Sequence, residues 1–266
     1  MLQEEIQKIM IIVSELWKKF NLDRQRRKEL ANGRQDSFVN AVAGVSFTCQ
    51  PGRVFTLLGP NGAGKTTTLR MIATLLKPSS GSITVAGIDA VQHPRDVRRK
   101  IGFLTGTTRL YERLTPHEIV KYYADLHKME EGQFKRRRDE LFALLGIDEF
   151  ANRRIGKLST GMRQKVSIAR TMIHDPEVIV FDEPTVGLDV ITARHIIELI
   201  RSCKNQGKTV LFSTHIMGEV SLLSDDLAII HNGKLCYSGT YNDFRKSMQG
   251  DSLEEEFIRL VEEVER

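Results

Sequence analysis

Three features of the sequence predict an α/β fold built on a mainly parallel sheet. Short β-branched, apolar runs alternate with longer amphipathic stretches, the pattern of strand–helix repeats around such a sheet. The runs VFTLL (54–58), VIVFD (178–182) and TVLFST (209–214) each end in a polar or glycine-rich turn, and in open α/β sheets ligands sit beyond the carboxyl ends of the strands. Near the end of the chain, Asn232-Gly233 stands between two apolar runs. That dipeptide tolerates positive φ at both positions and predicts a two-residue hairpin, so antiparallel elements join the parallel ones.

Composition allows either one large domain or two coupled lobes. The chain has 266 residues, 41% hydrophobic and 27% charged, enough to bury a sizeable core. No apolar run approaches the ~18 residues of a membrane span. MLQEEIQKIM carries two acids where a signal peptide would carry bases, so the chain is expected to stay in the cytosol. Cys49, Cys203 and Cys236 are odd in number and far apart, which fits reduced thiols better than a disulfide framework or a metal cluster. The net charge is +5, with basic clusters at 18–34, 95–100 and 135–138. Without interleaved aromatics or a reader motif these read as solvated helix faces or as attraction to an anionic membrane surface, and no nucleic-acid partner is expected.

Along the chain, VFTLL is the first buried strand. Residues from Pro116 to about Arg170 show helical periodicity and no strand, and read as a helical lobe inserted into the α/β core. VIVFD and TVLFST follow as buried strands, then the Asn232-Gly233 hairpin. The tail DSLEEEFIRLVEEVER places Leu253, Phe257, Leu260, Val261 and Val264 on one face, with Ser252 and Glu255 spaced as a capping box. Residues 21–37 are polar and read as a flexible insertion.

GPNGAGKTTT (59–68) matches G-x-x-x-x-G-K-[ST] and directly follows VFTLL. Gly59, Gly62 and Gly64 let the backbone turn its N–H groups around phosphate oxygens, with Pro60, Asn61, Ala63 and Thr67 completing the loop. The helix that starts near Lys65 adds its positive dipole end. Lys65 is placed to reach the β and γ phosphates, and the Thr66 hydroxyl to ligate Mg²⁺. Such a loop needs an acidic strand end, and VIVFDE supplies it. Asp182 is the metal-side carboxylate. Glu183, one residue on and expected on the opposite side of the strand, is the candidate general base.

Between these motifs lies KLSTGMRQKVSIARTMIHDPEVIVFDEPTVGLDV (157–190). LSTGM resembles the LSGGQ signature of ABC-type ATPases, Asp189 in GLD resembles the D-loop of that family, and His215 in FSTH resembles its switch histidine. The resemblance runs from about Met10 to Gly239. It implies a P-loop NTPase fold of the ABC cassette type: a RecA-like core with a mainly parallel sheet, antiparallel β elements and an inserted α-helical subdomain. It implies a cassette over 10–240 with the helical subdomain at about 106–170, a short extension at 1–9 and a helical tail at 241–266. It also implies ATP and Mg²⁺ as cofactors, and hydrolysis with Glu183, His215 and Lys65 as the catalytic set. Ser159 and Gly161, at a helix N-terminus, would cap the ATP held by the phosphate loop of a second copy. Thr160 and Met162 depart from the signature, and Thr160 narrows the room near the γ-phosphate. MIIVSELWKKF resembles the family's opening strand and puts Phe20 where an aromatic stacks on adenine, with Phe38 as rival.

In most relatives the strand entering the helical lobe ends in a glutamine that touches Mg²⁺. Here that position is Gly106, flanked by Thr105, Thr107 and Thr108, which would either present hydroxyls to the metal's water shell or form a hinge. FLTGTTRLYERLTP resembles the matching segment of NatA-type ATPase subunits of bacterial sodium exporters, and SLEEEFIRLVEE resembles exporter tails. The implied role is an exporter ATPase on the cytoplasmic side of the membrane, coupled to a separate permease, with sodium as cargo. A drug or lipid-like cargo, a soluble ABC ATPase acting in DNA repair or on ribosomes, and a regulatory module without catalysis are the alternatives.

Overall fold

The computed structural model describes residues 10–21, 38–105 and 110–265. The insertion read at 21–37, apart from Asn21, and the positions Gly106, Thr107 and Thr108 lie outside the described residues, as does the 1–9 extension.

Two sheets form the frame. The four-stranded sheet runs β2-β1-β4-β5, from β1 (Ile11–Asn21), β2 (Phe38–Cys49), β4 (Ser80–Val85) and β5 (Ile88–Asp89), all antiparallel. The six-stranded sheet has the order β10-β9-β3-β8-β7-β6. Its strands are β3 (Val54–Leu58), β6 (Ile101–Thr105), β7 (Val178–Asp182), β8 (Thr209–Thr214), β9 (Asp226–His231) and β10 (Lys234–Thr240). All pair in parallel except β10, which returns antiparallel on β9 through Asn232 (φ 47) and Gly233 (φ 77). Both turn residues occupy the left-handed region, as the hairpin requires.

The uninterrupted apolar runs of β7 and β8 follow from burial on both faces. Val178 and Val180 face the core shared with the four-stranded sheet, alongside Val13, Phe47 and Leu57, while Ile179 and Phe181 face the helices. At roughly 1.5–3 kcal/mol per buried large apolar side chain, these central strands anchor the site at their carboxyl ends.

Helix α1 (Lys65–Ile72) follows β3, and α2 (Pro94–Lys100) precedes β6. The stretch from 116 to 172 carries α3 (Pro116–Leu126), α4 (Glu131–Leu145) and α5 (Thr160–Met172). Helix α3 opens with a full capping box: Thr115 Oγ1 accepts from the Glu118 N–H, and the Glu118 carboxylate accepts from the Thr115 N–H. Helix α4 stops at Gly146, in the left-handed region at φ 61, where the Ile147 N–H returns to the Phe142 carbonyl.

Helices α6 (Val190–Asn205), α7 (Met217–Leu223), α8 (Tyr241–Ser247) and α9 (Leu253–Glu265) complete the chain. At α9 only half of the anticipated capping box forms. Ser252 Oγ accepts from the Glu255 N–H, but the Glu255 carboxylate takes the Asp251 N–H instead of that of Ser252. Glu256 holds the preceding turn: its buried carboxylate accepts from Gln249 and Gly250 N–H and pairs with Arg259.

Candidate functional site

The chain leaves β3 at Leu58, turns through Gly59–Gly64 and enters α1 at Lys65. Gly64 sits at φ 105, and a Cβ there would overlap the Ala41 carbonyl oxygen, so the close approach of β2 to the loop admits glycine alone. A helix start leaves its first N–H groups without intrahelical acceptors, which makes this end an anion site. Lys65 is almost fully buried. Its ammonium donates to the carbonyls of Gly59 (2.7 Å) and Pro60 (3.0 Å) and lies 3.1 Å from Glu183 Oε1.

Next to it, Thr66 Oγ1 donates to Asp182 Oδ1 at 3.0 Å. A hydroxyl and a carboxylate held together are oxygen donors of the kind a hard cation such as Mg²⁺ takes. Among the described residues no cluster of three or more His, Cys, Asp or Glu is placed to hold a metal, so this pair fits a cation that draws its other ligands from phosphate and water.

Glu183 departs from the expected geometry. Plain strand alternation would send it away from Asp182, but its backbone turns into the left-handed region at φ 49. Asp182 consequently meets Thr66 while Glu183 meets Lys65, and both carboxylates converge on the start of α1. Glu183 Oε1 is also 3.2 Å from His215 Nδ1, which follows β8. Burial raises the proton affinity of Glu183, but the hydrogen bonds from His215 and Lys65 outweigh it and leave its pKa below the usual glutamate value.

Ser159 is the N-cap of α5, accepting from the Met162 N–H at 3.2 Å, and Ser159 and Thr160 are exposed. Gly161 packs against Thr192, whose Oγ1 would lie 3.0 Å from an added Cβ. Asp189 is the N-cap of α6; it accepts from the Thr192 N–H and hydroxyl, which pull its pKa down. The helix N-termini at Ser159 and Lys65 thus offer two starts of the kind that can receive an anion on one chain.

Phe20 and Phe38 are both exposed at the outer end of the β1–β2 pair. They occupy adjacent rungs, Phe20 opposite Val39 and Phe38 opposite Asn21, so their side chains leave opposite faces of the pair. Lys18 Nζ covers the Phe20 ring and Lys19 Nζ that of Phe38.

Several participants escaped sequence reasoning. Gln164 donates from α5 to the Pro184 carbonyl at 3.0 Å, tying the signature helix to the turn after β7. The buried Glu219 carboxylate accepts from Thr185 and Thr214, which joins the same turn to the exit of β8. Ser213 bonds to Asp182 and to the Glu183 N–H. The visible signal was a pair of hydroxyls closing the otherwise apolar run TVLFST. A separate groove of about 830 Å³ lies between α2 and α3 beside β6. Arg95, Arg98, Arg99 and Lys128 line it together with Leu75 and Leu126, and among the described residues no acidic side chain contributes.

Residues 42–186 match the family described as ABC transporter. The ABC transporter ATP-binding protein NatA of Bacillus subtilis (strain 168) is 46% identical over 216 residues, 81% of this chain and 88% of that protein. The linearmycin resistance ATP-binding protein LnrL of the same organism is 36% identical over 212 residues, 80% of this chain and 68% of that protein. Among solved structures, an ATP-binding subunit of an ABC transporter aligns with a TM-score of 0.81 at 29% identity, covering 95% of this chain and 99% of that one. A dimeric bacterial ABC transporter cassette aligns with a TM-score of 0.75 at 25% identity, covering 87% and 98%.

Proposed function

Since this chain belongs to the ABC transporter family as an ATP-binding subunit of exporter type and an ABC-type ATPase, we propose that it drives sodium efflux through a separate membrane permease. The observation that carries the motor reading is the convergence of Lys65 and His215 on one oxygen of the Glu183 carboxylate, at 3.1 and 3.2 Å, beside the phosphate loop.

In this reading the backbone of 59–66 cradles the triphosphate of ATP, and Lys65 exchanges the Gly59 and Pro60 carbonyls for phosphate oxygens. Thr66 and Asp182 would hold Mg²⁺, which when bound neutralises charge on the β and γ phosphates. Glu183 takes a proton from the attacking water. Departure of the Lys65 ammonium toward phosphate removes one of the two contacts that hold the Glu183 pKa down, so the carboxylate becomes a better base as the substrate arrives. His215 stays beside Glu183 and faces the same phosphate.

Ser159 and Gly161 cap a second anion site, and a second copy of the chain, turned head to tail, would bring it over the nucleotide of the first. ATP then holds the two together and hydrolysis releases them. Among the described residues no helix is long and apolar enough to cross a membrane, so transport requires the permease. We place the permease contact in the basic groove beside β6, on the cytoplasmic face of the membrane, where β6 leads toward residues 106–109.

Sodium rests on the resemblance of residues 103–116 to NatA-type subunits, and the greater identity to NatA than to LnrL favours it over a drug. Vesicles carrying the subunit and its permease, loaded with sodium and supplied with ATP, test this directly. ATP-dependent sodium movement is expected. ATP hydrolysis stimulated by a hydrophobic drug or lipid-like molecule, with no sodium flux, would transfer the cargo to the second reading.

A further inference from the structure

The geometry points to Ser213 as a positioning residue for hydrolysis, one that holds Glu183 in its strained backbone conformation and the Asp182 carboxylate in place beside Thr66. The inference rests on the ATPase reading above. Ser213 is fully buried on β8, paired across the sheet with Asp182 and two residues ahead of His215. Its hydroxyl donates to Asp182 Oδ1 at 2.8 Å and accepts from the Glu183 N–H at 3.1 Å.

A backbone N–H only donates, so the single Ser213 proton is committed to the carboxylate. The chain of bonds therefore runs one way, from Glu183 N–H through Ser213 to Asp182. Asp182 Oδ1 accepts from Ser213 as well as from Thr66, so Ser213 keeps the carboxylate in place when Thr66 turns toward a cation.

Glu183 needs support of this kind. A non-glycine residue at φ 49 occupies a strained region that persists only where its surroundings enforce it. The Ser213 hydroxyl bonds the N–H of that same residue, and the Ser213 carbonyl accepts from it as well, at 3.2 Å. Once the hydroxyl is removed, Glu183 can relax toward ordinary strand geometry, which carries its carboxylate away from Lys65 and His215. The Ser213 hydroxyl bonds to Asp182 and Glu183 and not, among the described hydrogen bonds, to the phosphate loop, so ATP binding should be spared.

Ser213→Ala and Ser213→Thr test the assignment. For Ser213→Ala, the expected results are a fall in kcat of about tenfold and ATP affinity and KM within about twofold of wild type. Amide hydrogen exchange across residues 183–187 of the nucleotide-free variant should be about fivefold faster. Ser213→Thr, which keeps the hydroxyl, should recover at least half of kcat. Wild-type kcat and exchange in Ser213→Ala would overturn the inference. So would parallel losses of kcat, ATP affinity and melting temperature that threonine does not rescue, because these describe a merely structural serine. If the wild-type protein hydrolyses no ATP with its permease, the functional reading fails, while the exchange measurement on nucleotide-free protein still reports on Ser213.

Discussion

The Lys65 ammonium lies 3.1 Å from the Glu183 carboxylate, so the candidate phosphate-binding cation and the candidate base neutralise each other in the absence of nucleotide. Glu183→Gln keeps the shape and the hydrogen-bonding reach but cannot accept a proton. Its kcat should fall by about 10²–10³-fold, within the range for general-base removal, with ATP affinity retained. Phosphate release under single-turnover conditions checks this, and hydrolysis at the wild-type rate would remove Glu183 from the mechanism.

Lys65→Ala takes away three charge-assisted contacts that ATP would inherit. Hydrogen bonds to charged groups contribute about 1.5–3 kcal/mol, so nucleotide affinity should drop by roughly 10–100-fold. Titration calorimetry with ATP gives the answer, and unchanged affinity would contradict the phosphate role.

Phe20 and Phe38 leave opposite faces of the same strand pair, so a single adenine can stack on only one of them. Loss of base stacking costs about 1–3 kcal/mol. Phe20→Ala should weaken ATP binding about tenfold and Phe38→Ala less than twofold, measured with a fluorescent adenine nucleotide. The reverse order would give the adenine to Phe38.

His174 donates to the Ile101 carbonyl and stacks on His127 with ring centroids 3.8 Å apart. Burial first, then the neighbouring His127, pushes its pKa down to about 4. A histidine protonated less readily in the native state than in the unfolded chain costs nothing above its unfolded pKa of ~6.5 and destabilises progressively as pH falls from there toward 4. Stability should therefore decline by about 2 kcal/mol between pH 8 and pH 5. Urea unfolding of wild type and His174→Gln checks it, the variant showing a flatter pH profile. Equal slopes would assign the pH dependence to other groups.

Much of this was legible because the motifs are local. The strands 54–58, 178–182 and 209–214 stand where their apolar runs put them, since a strand buried on both faces leaves a continuous signal. The phosphate loop, Asp182 and His215 are read from adjacent residues. The convergence of Glu183 with Asp182 was not legible, because it depends on one left-handed φ set by the strand next door. Ser213, Gln164 and Glu219 act through contacts 5 to 34 positions away in sequence, which no spacing rule exposes. The Thr115–Glu118 capping box was readable from LTPHE by its own rule, whereas Glu255 matched the pattern and yet bonds Asp251.

In the proposed dimer one ATP is gripped by residues 59–66 of one copy and capped by Ser159 of another. Light scattering on Glu183→Gln, with and without saturating MgATP, tests it most directly. The mass should shift from that of the 30.2 kDa chain to twice that value on addition of ATP, a shift abolished when Ser159→Arg is added in the same background. A protein that binds ATP and stays at the single-chain mass, or that pairs equally well with Ser159→Arg, would contradict it.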